Sequence, residues 1–257
     1  MSNENSLEVK NKISTIWDKC GSSYDNSYAH GLKSEKEKQE WLKLLDSMIP
    51  INPSKILDVG AGTGFLSLLL SELGHQCKGI DLSEGMLSRA KLKAQESGFK
   101  EIVFEIGDAE NLNEPDNSYD VVINRHLVWT LPHPKKAIAE WVRVLKPGGR
   151  LIIIDGDWFH DSFSNKAKIF IGTCLVSVKE GKNAFKNVGN YDDELISKLP
   201  MMHDKNARQL VNLVRNSGLD IEVRDAKYVE EAEKEIMSLG YRLKNPYKRT
   251  IIIGTKM

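Results

Sequence analysis

Cysteine is scarce in this sequence. Cys20, Cys77 and Cys174 are three, odd in number and far apart in 257 residues, which leaves nothing for a disulfide framework or a clustered zinc site. Net charge is missing as well. Lys and Arg total 36 and so do Asp and Glu, so there is no basic excess to meet a nucleic-acid backbone. No run approaches the ~20 apolar residues that cross a bilayer. The polar opening MSNENSLEVKNK contains no apolar stretch of the signal-peptide kind. Internal repeats and low-complexity tracts are also absent. The expectation is a cytoplasmic globular protein with neither nucleic acid nor membrane among its partners, in an oligomeric state the sequence does not specify.

What remains is ordinary in bulk, with 40% hydrophobic and 28% charged residues, enough for one large domain. The first fifty residues read as helical. SLEVKNKISTIWDKC and SEKEKQEWLKLLDSMI place apolar residues three and four apart, with Ser34 as an N-cap and Pro50 and Pro53 closing the segment. Between them, GSSYDNSYAHG reads as a loop.

From residue 54 short apolar runs alternate with amphipathic helices. The run is KILDVG, FLSLLLSELG, CKGIDL, EGMLSRAKLKAQESG, IVFEIG, YDVVIN, KKAIAEWVRVLKPGG and RLIIIDG. Strands separated by helices imply right-handed crossovers and a parallel sheet covered on both faces. Lys146-Pro147-Gly148-Gly149 reads as a helix stop turning tightly into the next strand. Residues 157–205 break the rhythm and read as a helical insertion. NARQLVNLVRNSGL resumes as a helix, followed by strands DIEVRDA and KRTIIIGTKM, the latter antiparallel at or near a sheet edge. The expected architecture is a doubly wound α/β domain with a mostly parallel seven-stranded sheet. Its parts are a helical cap (1–50), a core (51–156), an insertion or lid (157–205) and a C-terminal part of the sheet (206–257).

One turn stands out. LDVGAGTGF, residues 57–65, puts Gly60, Gly62 and Gly64 where the first strand becomes a helix. In an open α/β sheet that is where ligands sit, and glycine lets backbone N–H groups approach them. A dinucleotide fingerprint would need its third glycine at position 65, where Phe65 stands. No Gly-Lys-Ser/Thr follows, so the phosphate-binding Walker loop is absent too. About 20 residues on, Asp81 ends the second strand, the place of a carboxylate that accepts from a ribose diol.

At this point the chain resembles the class I S-adenosylmethionine-dependent methyltransferases. The first motif is matched by Asp58, Gly60, Ala61, Gly62, Thr63 and Gly64. The resemblance implies S-adenosylmethionine as cofactor, with S-adenosylhomocysteine as product. It places Asp81 on the ribose, Leu82 and Met86 beside the adenine, Asp108 and the Ala109 N–H on the adenine edge, Asn124 beside the methionine part, and Asp58 toward the ammonium. VLKPGGRLII matches the helix-turn-strand that closes the family's core. The matches run in order over residues 54–155. The motif Asn/Asp-Pro-Pro-Phe/Tyr of many N-methyltransferases of adenine and glutamine is replaced by NRHL, which disfavours those acceptors.

For the acceptor side the sequence offers His126 and Trp129 after the fourth strand, and Asp155, Asp157, Trp158, Phe159 and His160 after the fifth. The N-terminal loop adds Tyr24, Tyr28 and His30. His126 and His30 are candidate general bases, or hold the cofactor or loop backbone instead. Tyr24, Tyr28, Trp129 and Trp158 are candidate substrate contacts. The His and Asp spacings match no metal signature, so no metal is expected. The reading is a methyltransferase for a small molecule at O, N, S or activated C. The alternatives are an RNA methyltransferase and a non-catalytic module that binds S-adenosylmethionine.

Overall fold

A computed structural model describes residues 3–28, 30–49, 51–156, 163–180, 191–203, 207–246 and 248–257. Seven strands form one sheet: β1 (Lys55–Val59), β2 (Gln76–Asp81), β3 (Val103–Ile106), β4 (Tyr119–Arg125), β5 (Leu145–Gly156), β6 (Asp220–Asp225) and β7 (Arg249–Thr255). Their spatial order is β3-β2-β1-β4-β5-β7-β6. The first five are mutually parallel, and β7 runs antiparallel to both its neighbours. The seven-stranded, mostly parallel sheet read from the sequence is therefore present. The edge strand beside β7, however, is β6, and β7 lies one strand inside it.

Helices α1 (Asn3–Asp18) and α2 (Glu35–Met48) precede the sheet. Ser34 caps α2 through its hydroxyl, which accepts the Glu37 N–H at 3.1 Å. Helices α3 (Phe65–Glu72), α4 (Glu84–Glu96) and α5 (Pro134–Val144) connect the parallel strands. Next come α6 (Phe163–Glu180), α7 (Asp193–Ser197), α8 (Pro200–His203), α9 (Ala207–Arg215), α10 (Lys227–Ile236) and α11 (Leu239–Lys244). The last two, between β6 and β7, carry no signal the sequence reading recognised.

The sheet is buried on both faces, so its central strands read as continuous apolar runs instead of alternating ones. On one face Leu57, Val59, Val122, Leu151, Ile153 and Ile252 pack with Trp141 of α5 and Leu210 and Val214 of α9. On the other, Ile56, Val121, Ile123, Ile152, Ile154 and Ile251 meet Trp41 and Leu45 of α2, Leu70 of α3 and Val229 of α10. Helix α5 stops at Val144 and Gly148 takes a positive φ of 76°, as expected, but residues 146–149 lie inside β5. The β4–β5 register slips between Tyr119↔Leu145 and Val121↔Arg150, and the Gly148 N–H donates to the Lys256 carbonyl at 2.7 Å. The segment is a bulge inside β5, held by strand pairing on its flank.

Candidate active site

The glycine turn is stitched to β2. Gly60 and Ala61 both donate their N–H groups to the Ile80 carbonyl, at 2.8 and 2.9 Å. All three glycines have positive φ, at 70°, 55° and 78°, a region that costs a side chain strain. Their surroundings differ. A Cβ would come within 2.7 Å of Leu127 on Gly60 and 3.3 Å of Met86 on Gly62, and on Gly64 within 3.0 Å of Phe104 and 3.1 Å of Ala90. Gly60 and Gly62 line a cavity, and Gly64 lets α3 pack against β3 and α4.

That cavity measures about 770 Å³ counted out to its open mouth. Of the residues singled out from the sequence, Tyr24, Gly60, Gly62, Asp81, Leu82, Met86, Asp108, Ala109 and His126 line it. Asp81 accepts the Gly62 N–H on Oδ2 and the Ser83 N–H on Oδ1, both at 2.9 Å. Two carboxylate oxygens offer about four acceptor sites, so each keeps capacity for a ligand hydroxyl. Burial pushes the Asp81 carboxyl up, against the pull of those backbone N–H groups.

The remaining motif residues stand behind the cavity wall. Asp58, 1% exposed, accepts the Ser67 N–H and hydroxyl at 3.1 and 2.7 Å, tying β1 to α3. Thr63 donates its hydroxyl to Asp25 Oδ1 at 2.6 Å, and Lys93 holds the other oxygen at 2.9 Å, so the N-terminal loop is latched to the turn. Ala61 packs with Leu87 and Phe104. Asn124 is fully buried, and among the described residues neither atom of its amide has a hydrogen-bond partner. A buried amide left so is costly unless a ligand or water completes it.

The roof comes from the helical cap expected over residues 1–50, but sequence reasoning did not name the residues that line it. Lys10, Ile13, Ser14 and Trp17 line the cavity from α1. Their spacing of three, four and seven is one helical face, which was a readable signal once the helix had been placed against the turn. Lys10 pairs with Asp108 Oδ2 at 2.8 Å and Glu110 Oε2 at 2.6 Å. Ser14 donates to the Leu82 carbonyl at 2.9 Å. Asp18 accepts from the Ser83 hydroxyl and the Gly85 N–H, at 2.6 and 2.9 Å. One helix thus bonds to the loops after β2 and β3.

Three lining residues carry rings, Trp17, Tyr24 and His126, and His30 and Trp129 contact them without lining the cavity. His30 stacks on Tyr24 at 4.3 Å with planes 12° apart, and its ring lies 6.2 Å from that of His126. Trp17 stands edge-on to Tyr24 and to Trp129, at 5.7 and 6.4 Å, and donates its indole N–H to Tyr191 at 2.9 Å. Arg125, also missed, lines the cavity. It donates to the His30 carbonyl at 3.0 Å and lies 3.7 Å over Phe65. His126 has φ 58°, a strained backbone for a non-glycine residue and a common mark of functional loops. Tyr28 points elsewhere, 4.6 Å from the Tyr241 ring. Trp158, like Asp157, Phe159 and His160, lies outside the described residues.

Burial, then the charges of Arg125 and Arg249, brings the His30 imidazole down to about 4. Burial and the same two charges hold His126 well below its ordinary range. Asp58 moves the other way, pushed up to about 6 by burial against its Ser67 bonds. These shifts act on stability with opposite signs. Below pH 6.5 the unfolded imidazoles bind protons the folded ones refuse, so stability falls with pH, whereas folded Asp58 takes up a proton the unfolded carboxylate does not. Between pH 7 and 5, His30→Asn should remove about 1–2 kcal/mol of the acid loss, and Asp58→Asn should deepen it by about 1 kcal/mol. Urea midpoints at the two pH values check this. Parallel curves for wild type and His30→Asn would show that the imidazole titrates normally.

Residues 57–153 match the family model described as a methyltransferase domain. YcgJ of Bacillus subtilis, an uncharacterized methyltransferase, is 37% identical over 101 residues, 39% of this chain and 40% of that one. The demethylmenaquinone methyltransferase of Clavibacter sepedonicus is 32% identical over 145 residues, 56% and 58% of the two chains. Residues 57–153 thus carry a methyltransferase domain of the class I S-adenosylmethionine-dependent kind. The chain's matches span less than two thirds of the length of those two relatives. The [4+2]-cyclase SpnF superposes with a TM-score of 0.64 over 96% of both chains at 19% identity. That likeness is one of fold, and a fold does not by itself set the reaction.

S-adenosylmethionine is the cofactor of this methyltransferase family, and the residues present suit it. Paired glycines with positive φ leave backbone exposed, and Asp81 keeps acceptor capacity beside them. Asp81 would hold the ribose, Leu82 and Met86 the adenine faces, and Asp108 with Ala109 the adenine edge. When bound, the cofactor supplies a methyl group already activated by a positive sulfur. The chain's own part is to align the acceptor and keep water out. Asp81→Ala should weaken S-adenosylhomocysteine binding by about 1–3 kcal/mol, the cost of a lost buried polar partner, with Asp81→Asn retaining part. Calorimetric titration reads this directly, and unchanged affinity would remove Asp81 from the ribose.

Proposed function

We propose that this chain transfers the methyl group of S-adenosylmethionine to a small-molecule acceptor. The observation that carries the reading is the roofed cavity, in which α1 covers the glycine turn and Asp81 while Trp17, Tyr24 and His126 add rings to its wall. A base within a polymer would have to enter beneath α1, and zero formal net charge gives its backbone little to hold.

His30 and His126 are held neutral, so each can accept or donate one hydrogen bond, but their low basicity makes them poor proton acceptors. The reading therefore favours acceptors that are nucleophilic without a strong base, such as phenolates, enolates, thiolates and neutral amines. The acceptor named for the Clavibacter relative, demethylmenaquinone, belongs to this chemical range in its reduced quinol form. Titration with S-adenosylhomocysteine, followed by detection of that product across a panel of quinols, phenols, thiols and amines, tests the proposal. Absence of binding defeats it. Tight binding with no turnover anywhere in the panel would support the non-catalytic binding module instead.

A further inference from the structure

Lys10 does more than its ion pairs require. Its ammonium, on a side chain only 11% exposed, lies 2.6 Å from Glu110 Oε2 and 2.8 Å from Asp108 Oδ2. Glu110 is the buried acid of the two. Its side chain is 1% exposed, and its other oxygen accepts the His133 N–H at 2.5 Å. Neutralising that charge would take one ion pair behind the cavity wall. Lys10 instead stands on the wall itself, together with Asp108. An ammonium has three N–H donors. Two meet these carboxylates, and among the described residues the third has no protein acceptor. Burial lowers the proton affinity of the group, but the two carboxylates outweigh it, so the donor is charged at neutral pH.

We propose that Lys10 donates this third N–H to N7 of the cofactor's adenine, which makes α1 part of the cofactor site. This contact rests on the methyltransferase reading and its placement of adenine at Asp108. Along one edge adenine offers a ring nitrogen, the exocyclic amine and a second ring nitrogen, which are acceptor, donor and acceptor. Asp108 and the next N–H in the chain, that of Ala109, supply one acceptor and one donor from a single loop. Those two suffice for the amine and N1. N7, on the other side of the amine, then lacks a donor. Lys10 is the donor that touches Asp108 and comes from outside the loop. The three groups together present donor, acceptor and donor, the complement of that edge.

Helix α1 is fixed where such a contact needs it. One turn on from Lys10, Ser14 donates to the Leu82 carbonyl at 2.9 Å, and one turn further Asp18 accepts from the Ser83 hydroxyl and the Gly85 N–H. Lys10, Ser14 and Asp18 therefore share one helical face. At the Asp18 end backbone meets backbone. A Cβ on Gly21 would fall 2.5 Å from the Gly85 carbonyl oxygen, and one on Gly85 would fall 2.6 Å from that of Asp18. The helix has little room to slide along these loops. A lysine already held by two acids has also lost most of the rotamer freedom that ligand binding would otherwise take from it.

Calorimetric titration of the full chain with S-adenosylhomocysteine and with its 7-deaza analogue, in which C–H replaces N7, tests this. Wild type should bind the 7-deaza compound about tenfold or more weakly, as expected for a lost hydrogen bond from a charged donor. In Lys10→Met combined with Glu110→Gln, where the second change avoids stranding a buried acid, the two ligands should bind alike. Equal affinity of wild type for both ligands overturns the proposal, and that measurement needs no variant. Discrimination that survives the double substitution overturns it too, and would make Lys10 only a latch for α1. If wild type fails to bind S-adenosylhomocysteine at all, the methyltransferase reading falls with the proposal, whereas binding without discrimination removes the Lys10 contact alone.

Discussion

Replacing Glu233 with alanine should destabilise the fold by about 3–5 kcal/mol, the usual result of stripping one partner from a buried ion pair. Glu233 of α10 grips Arg249 at the start of β7 with both oxygens, at 2.7 and 2.8 Å. The two side chains are 6% and 4% exposed. The Arg249 N–H donates to Glu230 at 2.6 Å, and the guanidinium lies 5.6 Å over the Trp41 ring. Trp41 stands edge-on to Phe65 at 5.3 Å, and Phe65 carries Arg125 at 3.7 Å. Without Glu233, one buried cation would face another across two aromatic rings with less to neutralise it. Calorimetry should show a melting temperature lower by about ten degrees or more for a chain this size. A loss under one degree would mean that water reaches Arg249 freely. Glu233→Gln should fall between, since it keeps hydrogen bonds and loses the charge.

Gly62→Val should abolish cofactor binding while the sheet still forms. The position has φ 55°, which a β-branched residue adopts only under strain. Its Cβ would sit 3.3 Å from the end of the Met86 side chain, narrowing the space beside Asp81. The Gly62 N–H is also one of the bonds that aims the Asp81 carboxylate, so a shifted backbone would spoil both cradle and anchor. Affinity for S-adenosylhomocysteine should drop by about 100-fold or more, roughly 2.7 kcal/mol. A folded Gly62→Val protein that binds normally would show that the ligand does not approach this turn. Gly64→Ala makes a useful contrast. Its Cβ would press on Phe104 and Ala90, so the expected loss is in stability first.

The strands of the core were legible because each is a short apolar run bounded by glycine or a charged turn, and the motifs fell on their C-terminal ends. Asp81 and the glycines could be placed because their chemistry is local, made by a few residues adjacent in sequence. Arg125 and Lys10 could not. Each acquires its meaning from a partner far along the chain, His30 for the first and Asp108 for the second, and neither spacing nor composition encodes such pairings. Thr63 shows the same limit from the other side. Its motif position suggests a ligand contact, yet its hydroxyl is spent on Asp25. Helices α10 and α11 escaped notice because KYVEEAEKEI and LGYRLK are short, and their apolar stripes are interrupted by Glu230, Glu233 and Gly240. The glutamates are buried, at 7% and 5% exposure, and Glu233 answers Arg249, a partner that sequence periodicity does not weigh.

The placement of β7 between β5 and β6 sets an order on biogenesis. A ribosome delivers β1 to β5 first, and they can assemble as they emerge, since each finds a neighbour already made. β6 then appears with no strand to join. Its register is defined only against β7, from Asp220↔Thr255 to Asp225↔Thr250, and β5 offers an open edge until the same residues arrive. During that interval two strand edges stand unpaired, a state that invites association with other nascent chains. Residues 249–255 then close both at once. The strand that joins β5 to β6 is therefore the last of the seven to be translated, and premature termination before Arg249 should yield aggregated protein instead of a soluble domain with one strand fewer.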